Sequence, residues 1–250
     1  NKEEVLSSMK KVAFITGGTG GLGLTIVQDL LERGYEVVSI SRDAARIEGA
    51  KKLVASEKAV FLKGDITTEE ALSDVYHYLL DRYGYVNVLI NNVGIMAGGG
   101  IEQITKEQWQ HMFDVNVHVP FRVTKKLLRL IKHAEYGCVV NISSIASKIT
   151  GGCMAYSACK AAVDMMTQSL AKELAKYYIR VNSVNPGMIN TGFQVKNQLI
   201  EHFEYEEFLE ETAKEYPMGI GTAADVSKLV CYLISEEARW ITGSNYVIDG

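Results

Sequence analysis

In the run AYSACKAAVD, Tyr156 stands four residues ahead of Lys160, inside a segment whose apolar spacing predicts a helix. Positions i and i+4 share a helix face, so the phenol and the ammonium point the same way. The pair has two readings. It is an ordinary solvent-facing Tyr and Lys, or it is a proton donor with a cation that favours its phenolate. Bringing a phenol from its ordinary pKa of about 10 to near 7 needs about 4 kcal/mol of preferential stabilisation of the anion. An opposite charge within a few ångströms supplies about one to three pKa units of that. The choice between the readings depends on what surrounds the pair.

The surrounding pattern alternates short apolar, β-branched runs with longer segments of helical period. Strands are expected at 12–16, 36–41, 59–63, 88–91, 138–143, 180–184 and 246–248, and helices at 24–33, 68–83, 106–133, 156–177 and 223–235. Strands joined by crossover helices make a parallel sheet covered on both faces. The expected fold is α/β, a doubly wound sheet of about seven strands in one domain, residues 9–250. Residues 190–220, acidic and aromatic, interrupt the alternation and read as a lid. Residues 1–8, NKEEVLSS, read as an N-terminal extension or an expression remnant.

Of 250 residues, 47% are hydrophobic and 22% charged, as in ordinary globular proteins, and the formal net charge is -4. Lys and Arg are scattered, which points away from nucleic acid and membrane partners and towards small molecules. No apolar run approaches the ~20 residues that span a bilayer. Cys138, Cys153, Cys159 and Cys231 lack metal-type spacing, as do the five histidines, so no metal is expected. Reduced thiols and a cytoplasmic location are the expectation.

After the first strand comes TGGTGGLG, opening directly into LTIVQDLLERG. Glycines in a strand-to-helix turn let backbone approach a pyrophosphate, and the helix N-terminus offers free N–H groups and partial positive charge. A glycine-rich turn alone is weak evidence; between strand and helix it points to dinucleotide binding.

Residues 16–23 match the pattern T-G-x-x-x-G-x-G, and with GDI at 64–66, NNVG at 91–94, DVNV at 114–117, NISS at 141–144, Tyr156 with Lys160, and NPGMINT at 185–191, the chain resembles the short-chain dehydrogenase/reductase family along nearly its whole length. The members it resembles include 3-oxoacyl-[acyl-carrier-protein] reductases. The resemblance implies a Rossmann-type fold and a catalytic set of Asn116, Ser144, Tyr156 and Lys160. Tyr156 is then the acid, Lys160 and the oxidised nicotinamide together supply the positive charge that lowers its pKa, Lys160 also binds the nicotinamide ribose, and Asn116 holds a water that resupplies protons. The serine donates to the substrate oxygen. Ser144 lies 12 residues before Tyr156, one fewer than in many members of the family. Ser143 would restore the distance but alternates to the opposite side of the strand, so Ser144 is preferred and the loop KITGGC is taken to be one residue short.

The resemblance likewise assigns cofactor contacts to Gly17, Thr19, Gly20, Gly21, Leu22 and Gly23 in the phosphate loop. Asp65 and Ile66 fall at the adenine, Asn92 and Gly94 along the ribose and pyrophosphate, and Pro186, Gly187, Ile189 and Thr191 at the nicotinamide. Ser41 falls where NAD-type members carry an acid, and Arg42 follows it. An acid there repels a 2'-phosphate, whereas a guanidinium grips it, so NADP(H) is favoured over NAD(H). The competing reading makes Asp43 the ribose ligand. Val93 stands where alanine is common.

The substrate is then a small carbonyl or alcohol. One branch of the family reduces 3-oxoacyl thioesters on acyl carrier protein, for which Lys125, Lys126, Arg129, Lys132, Lys172 and Lys176 are candidate docking cations; another acts on free ketones, sugars or cyclic alcohols. A non-catalytic NADP(H) sensor is the reading from a different class. Family habit implies a homotetramer or homodimer, with WITGSNYVIDG as interface material.

Overall fold

A computed structural model describes residues 10–150 and 153–250. The extension 1–8, Met9, and Gly151 and Gly152 of the KITGGC loop lie outside the described residues.

Seven strands form one parallel sheet: β1 (Lys11–Thr16), β2 (Tyr35–Ser41), β3 (Ala59–Lys63), β4 (Val88–Asn91), β5 (Gly137–Ile142), β6 (Ile179–Pro186) and, last in the chain, the strand Asn245–Ile248. Its order is β3-β2-β1-β4-β5-β6 followed by that last strand, every neighbouring pair parallel. The order reverses direction between β1 and β4, which opens a crevice at the carboxyl ends of these strands.

Both faces are buried, which is why the strands read as apolar runs rather than alternations. From β1, Val12 and Phe14 join one core cluster and Ala13 and Ile15 the other. The first core is closed by α3 (Glu69–Arg82), α5 (Val119–His133) and α6 (Met154–Leu174), through Leu72, Val75, Val123, Leu127 and Leu174. The second is closed by α1 (Gly21–Glu32), α2 (Ala44–Val54) and the helix Ala223–Ile234, through Ile26, Leu30, Ile47, Val226 and Val230. Each fully buried aliphatic side chain contributes roughly 1.5–3 kcal/mol.

Two elements differ from expectation. Helix α2 has only Ile47 and Ala50 buried, too thin an apolar stripe to register as a period; Asp43 starts it by accepting the Arg46 N–H at 3.1 Å. The expected helix 106–133 is divided into α4 (Lys106–Phe113), a π-turn at Asp114–His118, and α5. Pro120 has no N–H for the Asn116 carbonyl, and the Asn116 side-chain amide takes the Met112 carbonyl at 2.9 Å. The turn therefore widens, and Val119 N–H reaches back five residues to the Asp114 carbonyl.

The segment after β6 is not featureless. It holds β7 (Ile189–Asn190), α7 (Phe193–Lys196) and α8 (Tyr205–Ala213), and β7 pairs in parallel with β8 (Gly221–Thr222). The helix Ala223–Ile234 and the strand Asn245–Ile248 are α9 and β9.

Candidate active site

A cavity of about 810 Å³ runs along the carboxyl ends of the strands. It is lined by Gly17, Thr19, Gly20, Gly21, Leu22, Gly23, Ser41, Arg42, Asp65, Ile66, Asn92, Gly94, Ser144, Tyr156, Lys160, Pro186, Gly187, Ile189 and Thr191. Of the catalytic and cofactor residues that the resemblance implies, Asn116 alone does not line the cavity. A volume of this size suits a dinucleotide's reactive end with a small second molecule.

The phosphate loop is built by close packing. A Cβ on Gly23 would lie 2.2 Å from the Gly17 carbonyl oxygen, and Gly17 itself has φ +72. Asn92 braces the same turn, its Nδ2 donating to the Thr16 and Gly17 carbonyls at 3.0 and 3.2 Å. Val93, the larger residue where alanine is common, packs a methyl carbon 3.0 Å from where a Gly17 Cβ would be. Gly20 precedes α1 with no side-chain cap, and a Cβ there would meet nothing within 4 Å, so the first-turn N–H groups face open cavity. That is the donor set an anionic pyrophosphate requires.

At the far end, Arg42 reaches Asp65 at 3.5 Å while remaining largely exposed. Asp43, the alternative ribose ligand, spends its side chain capping α2 and pairing with Arg46 at 3.5 Å. Two cations not singled out in the sequence line the same end, Arg46 and Lys196. Partial desolvation, then the Arg46 and Arg42 guanidinia, hold the Lys196 ammonium below its ordinary range. Nothing in the spacing of the sequence joins Lys196 to residues 42 and 46; the path of α7 does.

At the inner end, β5 and α6 position the chemistry. Lys160, 3% exposed, donates from Nζ to the Ile142 carbonyl at 2.8 Å. Consecutive residues of the chain leaving β5 diverge: Ser143 is buried and donates to the Lys160 carbonyl at 3.2 Å, whereas Ser144 faces Tyr156. Phe193 of α7 packs beside the Tyr156 ring, centroids 6.2 Å apart. Behind them, Asn116 clamps the chain after β4: Oδ1 accepts the Ile95 N–H at 3.0 Å and Nδ2 donates to the Ile95 carbonyl at 3.0 Å. A Cβ on Gly94 would sit 3.1 Å from Asn116 Oδ1 and 3.5 Å from Lys160 Nζ, so these three residues meet at one point.

In the protein alone, burial works against both charged forms. It pushes the Tyr156 phenol up to about 12, with the Ser144 hydrogen bond working against it. Burial pushes Lys160 down to about 8, against the attraction of Cys159 and Asp164. Removal from water penalises each charged form, and the Lys160 Nζ lies 5.4 Å from the Tyr156 ring centroid.

Two of the six candidate docking cations stand together. Lys132 and Lys176 converge on the Tyr177 ring, 3.7 and 5.2 Å from its centroid. Tyr177 follows the C-terminus of α6 and precedes β6, at the edge where strands begin, opposite the cavity.

The family model for short chain dehydrogenases matches residues 11–201. The chain belongs to this family. The short chain dehydrogenase is 32% identical over 246 residues to the NADP-dependent (R)-specific alcohol dehydrogenase of Lentilactobacillus kefiri, covering 96% of this chain and 95% of the relative. It is 30% identical over 247 residues to the 3-oxoacyl-[acyl-carrier-protein] reductase of Chlamydia pneumoniae, covering 96% of each. Among solved structures, L-sorbose reductase from Gluconobacter frateurii, complexed with NADPH and L-sorbose, superposes with a TM-score of 0.88 at 26% identity, covering 97% of this chain and 96% of that one. The dehydrogenase is thus an oxidoreductase by family. Among the described residues, no group of three His, Cys, Asp or Glu side chains is placed to hold a metal, and no helix is long and apolar enough to cross a membrane.

Proposed function

We propose that this short chain dehydrogenase is an NADP(H)-dependent enzyme that interconverts a free carbonyl and a secondary alcohol, with Tyr156 as acid and base. The observation that carries this reading is one cavity with Ser144, Tyr156 and Lys160 at its inner end and Arg42, Arg46 and Lys196 at its outer end. Bound NADPH supplies the hydride. The phosphate loop and the α1 N-terminus take the pyrophosphate, and Arg42 grips the 2'-phosphate. Lys160 holds the ribose hydroxyls, Ser144 donates to the substrate oxygen, and Tyr156 gives that oxygen its proton in reduction and takes it back in oxidation. Proton resupply runs through Lys160 and the Asn116 clamp. Residues 190–220 act as the lid, bringing Phe193 over the phenol.

A free carbonyl is favoured over a carrier-bound thioester because Lys132 and Lys176 gather at the opposite edge from the cavity. The presence of Ser144, Tyr156 and Lys160 in one cavity speaks against a non-catalytic sensor. Four free, buried thiols fit a reducing cytoplasm. The homo-oligomer implied by family habit is read by light scattering of the purified protein.

The test follows NADPH absorbance with cyclopentanone, L-sorbose and an acetoacetyl thioester, NADH alongside. Turnover of a free carbonyl that Tyr156→Phe lowers by about 100-fold or more supports the reading. Turnover of the thioester alone, preference for NADH, or full activity in Tyr156→Phe overturns the corresponding part.

A further inference from the structure

Behind Ser144 lies a buried carboxylate that the reaction above does not use. Asp164, on α6 four residues after Lys160, is 4% exposed. It accepts from Ser147 Oγ at 2.6 Å, from Asn185 Nδ2 at 2.8 and 3.1 Å, and from Ser183 Oγ at 3.2 Å, and it pairs with Lys148 at 2.9 Å. Burial would raise its pKa, but the hydrogen bonds from Ser147, Lys148 and Asn185 hold the carboxyl below its ordinary range. Every neighbour at hydrogen-bond distance is therefore a donor to an anion.

Two of these donors also lie against the Ser144 carbonyl. Ser147 Oγ lies 2.8 Å from the Ser144 carbonyl oxygen, and Asn185 Nδ2 lies 3.2 Å from it. Ser147 Oγ and Asn185 Nδ2 are themselves 2.8 Å apart. Ser144 caps the short 3-10 turn Ile145–Ser147, its own Oγ accepting the Ala146 N–H at 3.1 Å. Ser147 has one hydroxyl hydrogen, which Asp164 takes at the shorter distance, whereas the two amide hydrogens of Asn185 reach both Asp164 and the Ser144 carbonyl. The backbone that aims Ser144 thus hangs on Asn185, and Ser147 and Asn185 both hang on Asp164.

We propose that Asp164 is a positioning residue, its buried carboxylate holding Ser147 and Asn185 so that the Ser144 hydroxyl is fixed against the Tyr156 phenol. This rests on the reading of Ser144 as donor to the substrate oxygen. Asp164→Asn keeps the shape but puts an NH2 group among donors, so the network no longer matches and the Ser144 carbonyl loses its support. A side chain that merely fills space is replaced by such an isostere with little effect on turnover.

The experiment is a double-mutant cycle on the purified chain, with NADPH and whichever of cyclopentanone, L-sorbose and the acetoacetyl thioester turns over fastest. Asp164→Asn and Ser147→Ala are each expected to lower kcat about tenfold, while NADPH affinity from fluorescence titration stays within about twofold. In a Ser144→Ala background, Asp164→Asn should cost less than about twofold more, since the group it positions is gone. Ser147→Ala, a smaller change, carries the same cycle if Asp164→Asn does not fold. Equal losses with and without Ser144, or unchanged kcat in both single variants, overturn the proposal. Full turnover in Ser144→Ala alone overturns the reading of Ser144 instead, and with it the reason for positioning that residue.

Discussion

Lys160 and Ile142 are joined by a hydrogen bond of 2.8 Å from the ammonium to the carbonyl at the end of β5. The bond ties α6 to the sheet at the point where Tyr156 and Ser144 meet, and it holds a cation that is 3% exposed. Burial, opposed by Cys159 and Asp164, lowers Lys160 from 10.5 to about 8.

A lowered lysine pKa costs stability wherever the unfolded chain still binds the proton. Below about 8 both states are protonated and the penalty is full; from about 8 to 10.5 the unfolded state binds more protons, so stability rises with pH. Lys160→Met is expected to be more stable than the parent at pH 7 by up to about 3 kcal/mol, less what the lost hydrogen bond contributed. The gap should close as pH approaches 10, measured by urea unfolding of both proteins. A gap that does not change with pH contradicts the assignment.

Gly23→Ala tests the phosphate loop. The added Cβ would fall 2.2 Å from the Gly17 carbonyl oxygen and 2.6 Å from Asn92 Nδ2, and backbone cannot yield as a flexible side chain does. Loss of NADPH binding by about 10-fold or more and a stability loss of about 1–3 kcal/mol are expected, read by fluorescence titration and urea unfolding. Gly20→Ala, where a Cβ meets nothing within 4 Å, should fold normally and serves as the control.

Arg42→Ala should raise the KM for NADPH by about 10- to 100-fold, the cost of one charge-assisted hydrogen bond, and leave the KM for NADH within about threefold. Lys196→Gln should act in the same direction with a smaller factor, since its ammonium shares the outer end with Arg42 and Arg46. Equal effects on both cofactors would remove these cations from the 2'-phosphate.

Asn116→Ala deletes three hydrogen bonds to backbone, two at Ile95 and one at Met112, in a side chain that is 1% exposed. An expected loss of about 2–4 kcal/mol in urea unfolding should come with lower kcat, because the chain at Gly94 that it holds also meets Lys160. Asn116→Asp keeps the acceptor for the Ile95 N–H but turns a carboxylate oxygen towards the Ile95 and Met112 carbonyls, and should be at least as destabilising as Asn116→Ala at pH 7.

The strands were legible because burial on both faces leaves uninterrupted apolar runs; the glycine-rich turn was legible because a backbone packed that closely demands glycine, and the other cavity residues were legible through the resemblance. The 12-residue spacing from Ser144 to Tyr156 left two serines in competition; the divergence of Ser143 and Ser144 after β5 separates them in space. Helix α2 escaped for want of an apolar stripe, and the π-turn at Asn116 escaped because a side chain competing for a backbone carbonyl leaves no period. The lowering of Tyr156 expected from Lys160 together with the oxidised nicotinamide takes no account of burial, which in the protein alone pushes the phenol up and the ammonium down.

By itself, then, the sequence determined the order of the elements, the phosphate loop and the phenol–ammonium pair, because each is a local matter of residue type and spacing. Only the tertiary structure decided which end of the sheet gathers which cations, how Lys196 comes to stand with Arg42, and how Asp164 comes to lie behind Ser144. Those relations join residues far apart in the chain, and their energies depend on burial and on distances that no spacing along one strand or helix encodes.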